Sequence, residues 1–502
     1  MVPDDPDGWP VPAGSPGSVA PTGSGLVRGV WNGVGLYWLQ TLGCPKNQVD
    51  SDKLEGYLAT QGYDRAQSAE AADLVVVNTC AFIDAARQES IETVLTLADQ
   101  RRTGARLVVT GCMAERYGDE LAEALPEVDL VAPFGAPLTG DAHGGSHLHD
   151  GVPTPVTLGT KPTTGPVPAF DLLNLPRPRS SAPWAYVKVA EGCDRNCGFC
   201  AIPSFRGKQR SRSTASILTE VDELGGSAGT LSEVVLVAQD LSSFALDRSG
   251  GRTVPRIDGP AVGGHRPIVD LVAAVSARVR WTRLLYLYPS TLDDALVDAI
   301  LATGVPYFDL SLQHVSRPLL KRMRRWGEGD RFLERIRSIR SAEPTAAFRS
   351  SFIVGYPGET EQDHDRLLAW IQEAQLDWVG FFPFSNEAGT YAADLNGQVP
   401  EALVHERIRE CTELQDDITT RRREDLIGTT VEVLVDAPGE ARTYREAPEI
   451  DGIVTVPTHL PVGSFVQVMV TDADGPDLTA DPVDGPRGAG SPLATVGTGG
   501  PA

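Results

Sequence analysis

The stretch Glu191-Gly-Cys-Asp-Arg-Asn-Cys-Gly-Phe-Cys200 places three cysteines, Cys193, Cys197 and Cys200, on one short loop in a C-x3-C-x2-C pattern. It follows the apolar run 185–190, which predicts a strand. Three thiolates this close together are typical ligands of an iron-sulfur cluster. Because a [4Fe-4S] cluster has four irons and no fourth cysteine lies nearby, one iron would keep a free coordination position.

A structural zinc knuckle and buried free thiols are the alternative interpretations of this loop. Zinc usually closes its shell with four ligands from paired C-x2-C units, and no partner pair occurs nearby. With the aromatic Phe199 before its last cysteine, the loop resembles the signature of radical S-adenosylmethionine enzymes. That resemblance implies that S-adenosylmethionine chelates the free iron and is cleaved reductively to a 5′-deoxyadenosyl radical.

Composition indicates a large chain without a membrane-spanning or secretory segment. Its 502 residues suffice for two or three domains, and no run approaches 18 consecutive apolar residues. Residues 1–35 are rich in Gly, Pro and Asp and predict a disordered extension on a cytoplasmic protein. The seven cysteines, an odd number, favour reduced thiols and metal over disulfides. A net charge of −23 disfavours non-specific nucleic-acid binding and favours a basic partner.

Residues 36–139 alternate short apolar runs with helical patterns, which predicts an N-terminal parallel α/β domain. The runs are 36–42, 74–77, 107–110 and 130–131. A cysteine follows each of the first three runs, namely Cys44, Cys80 and Cys112, at roughly the 30-residue spacing of one βαβ unit. Parallel strands end at one edge of a sheet, so we predict a second three-cysteine cluster site there, with buried thiols as the alternative. We call Cys44, Cys80 and Cys112 the first cysteine set, and Cys193, Cys197 and Cys200 the second.

Residues 140–182 are rich in Gly, Pro, Thr and Ser and predict a linker, whose histidines (His143, His147 and His149) we interpret as solvated. Residues 183–420 alternate six apolar runs with helical patterns. This predicts a partial (βα)6 barrel with a lateral opening for a macromolecular substrate. The runs are 185–190, 233–238, 283–287, 307–312, 348–354 and 378–384, and the helical patterns are 213–224, 268–279, 292–303, 330–341 and 361–374. The segment 247–266 interrupts the pattern with Gly and Pro, which predicts a surface insertion.

A polar helix at 400–427 leads into residues 421–482, which predict a small all-β barrel, and residues 483–502 predict a disordered tail. The predicted strands are 430–435, 452–458 and 464–471. Residues 429–482 contain ten acidic side chains and only Arg442 and Arg445 as basic ones. Such a module repels RNA phosphates and attracts a basic protein, so we expect no direct RNA binding.

The two cysteine sets, the partial barrel and the C-terminal β-module together resemble the radical methylthiotransferases, which end in a TRAM-type domain. The resemblance covers roughly residues 35–480, and its strongest motifs are Gly43-Cys-Pro-Lys-Asn47, Glu191–Cys200 and Phe352-Ile-Val-Gly-Tyr-Pro-Gly-Glu359. The first motif resembles the branch that modifies a ribosomal protein, since the tRNA branch usually reads Gly-Cys-Gln-Met-Asn there. Ala447-Pro-Glu-Ile-Asp-Gly452 resembles the same branch, whereas Asp52 stands where Glu is common.

This resemblance implies methylthiolation of an aspartate β-carbon in the twelfth small-subunit ribosomal protein, a basic protein, giving 3-methylthioaspartate. It also implies two [4Fe-4S] clusters and S-adenosylmethionine as cofactors, with a sulfur donor and an electron donor as further partners. The first cysteine set would carry the sulfur, and the radical formed at the second would remove a hydrogen from the aspartate. No catalytic acid or base is expected, because an unactivated C–H bond has no acidic proton.

Residues at the ends of the barrel strands, together with the loop aromatic, are the predicted cofactor contacts. They are Phe199, Gln239, Asp240, Arg349, Gly355, Pro357 and Gly358. The glycines would let backbone approach the adenine, although a plain strand-end turn fits as well. Arg349 would pair with the cofactor carboxylate or form a structural ion pair. Gln313 and His314 occupy the equivalent edge after the fourth strand, and Cys411 is interpreted as a packing residue.

Two alternative functions stay open. A tRNA adenosine methylthiotransferase would have the same chemistry, and a basic last module would have supported it. A non-catalytic iron-sulfur assembly or redox-sensing protein would bind clusters without cleaving S-adenosylmethionine. Such a sensor has no need of a (βα)6 barrel around its cluster.

Overall fold

The computed structural model describes residues 35–139, 171–225, 231–248 and 266–483. The predicted N-terminal extension, the linker histidines, most of the predicted insertion and the predicted tail lie outside these ranges. Within them, no helix combines the length and the hydropathy that a bilayer crossing requires.

The first domain is a parallel sheet of five strands in the order β2-β1-β3-β4-β5. Its strands are β1 (Gly35–Thr41), β2 (Tyr63–Arg65), β3 (Leu74–Thr79), β4 (Arg106–Gly111) and β5 (Leu130–Ala132), and its helices are α1 (Pro45–Thr60), α2 (Asp84–Gln100) and α3 (Cys112–Ala124). Leu74 and Val76 pack on one face of the sheet, and Val75 and Val77 pack on the other. Burial on both faces explains the continuous apolar run of β3 and confirms the predicted parallel sheet.

Six longer strands form the central domain, as predicted. They are β6 (Trp184–Lys188), β9 (Glu233–Val237), β10 (Trp281–Leu284), β11 (Tyr307–Gln313), β12 (Ala347–Val354) and β13 (Trp378–Pro383). A two-stranded ladder, β7 (Ala190–Glu191) and β8 (Arg210–Ser211), flanks the loop of the second cysteine set. Two parallel sheets, β10-β9-β6 and β11-β12-β13, meet at a single parallel bridge between Leu287 and Leu310. The six strands thus form one partial barrel, in which this bridge joins the two sheets.

Helices separate the strands of the barrel at the predicted places. They are α4 (Ile202–Phe205), α5 (Thr214–Gly225), α6 (Pro267–Ser276), α7 (Asp294–Leu301), α8 (Arg317–Arg322), α9 (Gly329–Ala342) and α10 (Glu361–Ala374). Thr360 and Asp363 form a reciprocal capping box at the start of α10, which fixes where this helix begins. The short α4 and α8 were not predicted, because each is too short for an apolar period to show.

Residues of the two flanking domains pack against barrel-strand side chains. Val49 of α1 and Ala447 of the last module pack in one buried cluster with Tyr186 and Tyr307 of the barrel strands. The Tyr186 hydroxyl donates to the carbonyl of Pro448 at 2.6 Å. The segment 447–452, whose sequence resembles the branch of the family that modifies a ribosomal protein, therefore packs against the barrel strands.

The first domain lies across the lateral opening of the barrel. Helix α1 packs against β6 at one edge. Beyond the other edge, Arg87 and Arg116 lie 2.7 and 2.6 Å from the carboxylate of Glu387, four residues after β13. The first domain therefore contacts both edges of the barrel.

A long helix, α11 (Glu401–Glu424), connects the barrel to a closed five-stranded barrel in the order β14-β15-β16-β18-β17. Its strands are β14 (Thr430–Ala437), β15 (Glu440–Arg442), β16 (Val454–Thr455), β17 (Phe465–Asp474) and β18 (Asp477–Pro482). This confirms the predicted all-β module. The sequence did not predict β15 and β18, since β18 has only Leu478 and Ala480 as buried apolar residues.

Candidate metal centres

The first cysteine set lies at the carboxyl edge of the first sheet. Cys44 follows β1 and caps α1, Cys80 follows β3, and Cys112 is the first residue of α3. Gly43 permits this arrangement, because its φ is +95° and a Cβ there would lie 2.9 Å from the Cβ of Cys80. The side-chain amide of Asn47 donates to a carbonyl just after β1 at 2.9 Å and to the last carbonyl of β3 at 3.1 Å. The three thiols therefore come from three adjacent strand ends that are tied together.

Burial and nearby charges set the protonation of these thiols. Burial raises the pKa of Cys80 to about 12, with the neighbouring Cys44 adding to the shift, and it also raises the pKa of Cys112. Burial acts in the same direction on Cys44, but the positive charges of Lys46 and Arg206 outweigh it and lower the pKa of this thiol. Crowded thiols of this kind lose their protons when a cation binds, which is the ligand chemistry that an iron-sulfur cluster requires.

The second cysteine set lies on the loop between β7 and α4, after the first barrel strand. The Cys193 amide donates to the carbonyl of Gly207 at 3.0 Å, and the Cys200 amide donates to the carbonyl of Cys197 at 3.2 Å. Arg325 donates to the Cys197 sulfur at 3.3 Å. Burial raises the pKa of Cys193 to about 11 and that of Cys200 to about 12. In the described part of the chain, no three His, Cys, Asp or Glu side chains converge as ligands of a single ion do.

One buried arginine, Arg206, connects the surroundings of the two sets. Its Nε and Nη2 donate to the Cys112 sulfur at 3.3 and 3.0 Å. Its Nη1 donates to both carboxylate oxygens of Glu191 at 2.9 Å, two residues before Cys193. Burial would raise the pKa of Glu191, but the charges of Arg206 and Lys188 hold it well below the usual range. Arg206 therefore joins the first cysteine set, by polar contacts, to a residue two positions before the second set.

The same network docks the first domain onto the barrel. Asp50 of α1 accepts from Arg206 at 3.2 Å and from Lys188 of β6. Lys188 also donates to Glu191 at 2.7 Å. Two cations and two carboxylates thus form one buried cluster. Its charges balance, which is the condition for retaining buried ions.

The structure places Gln239 and Asp240 beside the second cysteine set. Gln239 donates to Glu191 at 2.8 Å, and its own side-chain oxygen is buried with no hydrogen-bond partner among the described residues. Asp240 accepts from Nε of Arg195 at 2.6 Å. Phe199 is partly buried against the barrel core. Their predicted contacts with the cofactor stay predictions.

Protein groups already contact the other predicted cofactor residues. Arg349 lies 3.4 Å from Asp309 and 3.2 Å from Asp451, which matches the structural ion pair left open in the sequence. At the turn after β12, the Gly355 amide donates to Glu359 at 2.6 Å, the Pro357 carbonyl accepts from Arg322 at 2.7 Å, and the Gly358 amide donates to the Gly397 carbonyl at 2.7 Å. A role for these four residues in binding cofactor also stays a prediction.

Gln313 and His314 lie at the end of β11. Gln313 has a positive φ of +70°, and the ring of His314 is buried. The His314 Nδ1 accepts from the amide of Ser316 at 3.0 Å, and burial lowers the pKa of His314 to about 4. Cys411 is fully buried in the barrel core, where burial raises its pKa to about 12. The packing position predicted for Cys411 agrees with this location.

Several residues of the site were not predicted to act there: Lys46, Asn47, Asp50, Lys188 and Arg206. Lys46 and Asn47 lie within the quoted motif around Cys44, which could have indicated a role. Arg206 follows the largely apolar segment 201–205 and begins the basic run 206–212, so nothing local distinguishes it, and its first-domain partners are distant in the chain. Only the docking of the two domains reveals them.

Three family models match the chain in the same order as its domains. Residues 36–133 match the uncharacterized protein family UPF0004, residues 187–371 match the radical SAM superfamily, and residues 427–483 match the TRAM domain. The fold and its two cysteine sets thus define a radical S-adenosylmethionine protein with a TRAM domain.

Sequence relatives identify the family within this class. The chain is 40% identical to the ribosomal protein uS12 methylthiotransferase RimO of Salinispora tropica, over 88% of this chain and 94% of the relative. It is also 40% identical to the protein of the same name from Moorella thermoacetica, over 86% and 95%. The chain belongs to the RimO family of uS12 methylthiotransferases.

Solved structures resemble the chain more remotely. The cobalamin-dependent radical enzyme OxsB with S-adenosylmethionine bound shares 11% identity, over 76% of this chain and 56% of that one, at a TM-score of 0.39. This similarity is too low to support an argument, so the family assignment rests on the sequence relatives.

Proposed function

We propose that the chain transfers a methylthio group to the β-carbon of an aspartate in the ribosomal protein uS12, giving 3-methylthioaspartate. The observation that carries this proposal is the pair of three-cysteine sites linked by one buried arginine, in a chain 40% identical to a uS12 methylthiotransferase. When bound, two [4Fe-4S] clusters and S-adenosylmethionine supply the sulfur, the methyl group and the radical that removes the hydrogen.

The residues of the chain hold and separate these groups. The first cysteine set would hold one cluster at the edge of the first sheet, and the second set would hold the other at the barrel. Arg206 stabilises the first set by donating to the Cys112 sulfur. Through Glu191 it also fixes the position of the second loop. The chain supplies no catalytic acid or base in this proposal, because a base cannot remove the hydrogen of an unactivated C–H bond.

Contacts with the cofactor are a further part of the proposal. Gln239 supports it best, because its buried side-chain oxygen lacks a partner among the described residues and lies beside the second cysteine loop. Phe199 and Asp240 adjoin the same loop. Arg349, Gly355, Pro357 and Gly358 are weaker candidates, since protein groups already satisfy them.

Charge supports a basic protein as the partner of the last module. Arg442 lies 2.9 Å from Glu233 of the barrel, and Arg445 lies 3.4 Å from Asp377, so neither basic side chain of the module is free. The exposed acidic side chains of the module include Asp472, Asp474 and Asp481. This surface attracts a basic ribosomal protein and repels an RNA backbone. We infer that the reaction takes place in the cytoplasm, where such a substrate is made.

A parallel acceptor assay tests the proposal. The reconstituted protein, kept free of oxygen, receives S-adenosylmethionine, sulfide and a reductant, with either uS12 or unmodified tRNA as acceptor. We expect a methylthio mass gain on an aspartate peptide of uS12, with a rate that falls as salt screens the acidic module. A gain on tRNA adenosine would overturn the assignment of the acceptor. No gain and no 5′-deoxyadenosine would favour a non-catalytic cluster protein.

A further inference from the structure

Lys46 is a buried cation of the site without an anionic partner in contact. Its residue is 8% exposed and lies on α1, two positions after Cys44. The ammonium lies over the ring of Tyr286 at 3.2 Å from the ring centroid. It forms no hydrogen bond or ion pair with any residue that the structure describes. An ammonium has three donors, and none of the three has an acceptor among the described residues.

The nearby cations, unlike Lys46, are in contact with carboxylates. Arg206 and Lys188 share the carboxylates of Asp50 and Glu191. The neighbouring acid Asp309 accepts from the backbone amide of Tyr286 at 2.9 Å and lies 3.4 Å from Arg349. The existing carboxylates are thus engaged elsewhere, and the donors of Lys46 stay available to an incoming group.

The position of Lys46 places those donors between the first cysteine set and the barrel. Tyr286 follows β10 at the end of a barrel strand, and its φ of +63° turns the chain there. Lys46 lies two residues after Cys44, and its ammonium covers the Tyr286 ring, so it lies where the first cysteine set faces the barrel. A group held by this ammonium would therefore lie beside the first cysteine set.

We propose that Lys46 binds the side-chain carboxylate of the aspartate that is modified. This inference rests on the proposed function. The reacting β-carbon is bonded directly to the carboxylate carbon, so an ion pair to the carboxylate fixes the position of the reacting C–H bond. It also compensates for the removal of the carboxylate from water. Lys46 is therefore a residue that determines specificity for an acidic acceptor side chain.

A double-mutant cycle between enzyme and substrate tests this pairing. The enzyme variants are Lys46→Met, Lys46→Arg and, as a matched control, Lys321→Met on the exposed face of α8. The substrates are uS12 and uS12 with asparagine at the modified position. We expect Lys46→Met to lower kcat/KM for the aspartate substrate about 30-fold or more, as for loss of one partner of a buried charge pair. The loss on the asparagine substrate should be at least about tenfold smaller, and Lys46→Arg should recover part of the activity.

Readouts other than turnover separate binding from structure. Because Lys46 lies two residues from Cys44, turnover is compared per bound iron. The KM for S-adenosylmethionine and its cleavage without acceptor, which belong to the second cysteine set, should match the wild type in Lys46→Met. Equal losses on both substrates per bound iron, or a raised KM for S-adenosylmethionine, would each overturn the proposal, the latter by assigning Lys46 to the cofactor carboxylate. Failure of the wild type itself to modify uS12 would instead refute the proposed function.

Discussion

Replacing Arg206 by glutamine should both destabilise the chain and disturb the first cysteine set. The guanidinium is nearly inaccessible, at 2% side-chain exposure, and it contacts Cys112, Asn47, Asp50 and Glu191. Glutamine is too short to reach all of these groups and carries no charge. The substitution therefore removes the shared cation of two buried carboxylates together with the donors to the Cys112 sulfur.

The magnitude follows from the contacts that are lost. Asp50 and Glu191 would retain only Lys188 as a cation, so one negative charge in the buried cluster would be left without compensation. Removing one partner of a buried ion pair costs about 3–5 kcal/mol. A matched control is Arg278→Gln, whose pair with Asp222 is exposed at 33% and 60%. Exposed pairs contribute about 0–1 kcal/mol, so the control should be nearly neutral.

Urea unfolding of the reconstituted protein, followed by circular dichroism and tryptophan fluorescence, measures the difference. We expect Arg206→Gln to lower the free energy of the transition that includes the first domain by about 3–5 kcal/mol. Its iron content should fall toward that of a chain lacking Cys112. An unfolding free energy within about 1 kcal/mol of the control, with full iron, would refute the role given to Arg206.

Two further substitutions test particular contacts. Gly43→Ala should reduce the iron bound at the first set, because its Cβ would lie 3.0 Å from the Cys80 sulfur. The control Gly62→Ala has a similar positive φ but open space around it. It should lower the free energy of unfolding by only about 1–2 kcal/mol and leave the iron unchanged. Equal iron in both variants would contradict this contact. The folded pKa of His314 is about 4 against an ordinary value of 6.5, so between these values the unfolded state binds more protons and stability falls as the pH falls. His314→Gln should flatten this decline by up to about 1.4 kcal/mol per pH unit in unfolding titrations, and an unchanged slope would show that the ring titrates normally.

Much of the fold could be predicted because it is encoded locally. The helix at 361–374 has the predicted bounds, since the capping residue Thr360 and the apolar period agree. The predicted strand at 283–287 instead runs from Trp281 to Leu284, because Tyr286 adopts a positive φ and ends it. Nothing in the residues around Tyr286 indicates that conformation, which depends on contacts with Asp309 far along the chain.

The candidate site also combines features that local sequence predicts with contacts between distant residues that it does not predict. The spacing of Cys44, Cys80 and Cys112 predicts one sheet edge, because the carboxyl ends of parallel strands meet there. The role of Arg206 could not be predicted, since its partners Asn47, Asp50 and Cys112 lie on another domain. Long-range docking of buried charges leaves no periodic signal in the sequence.

The most direct test of the account compares the wild type with Cys80→Ala and Cys411→Ala in the uS12 assay. We expect a methylthio mass gain on the uS12 aspartate with the wild type and with Cys411→Ala, whose thiol is buried in the barrel core. With Cys80→Ala we expect no gain, although 5′-deoxyadenosine still forms at the second cysteine set. A mass gain that persists in Cys80→Ala, or one that appears on tRNA instead of uS12, would contradict the account.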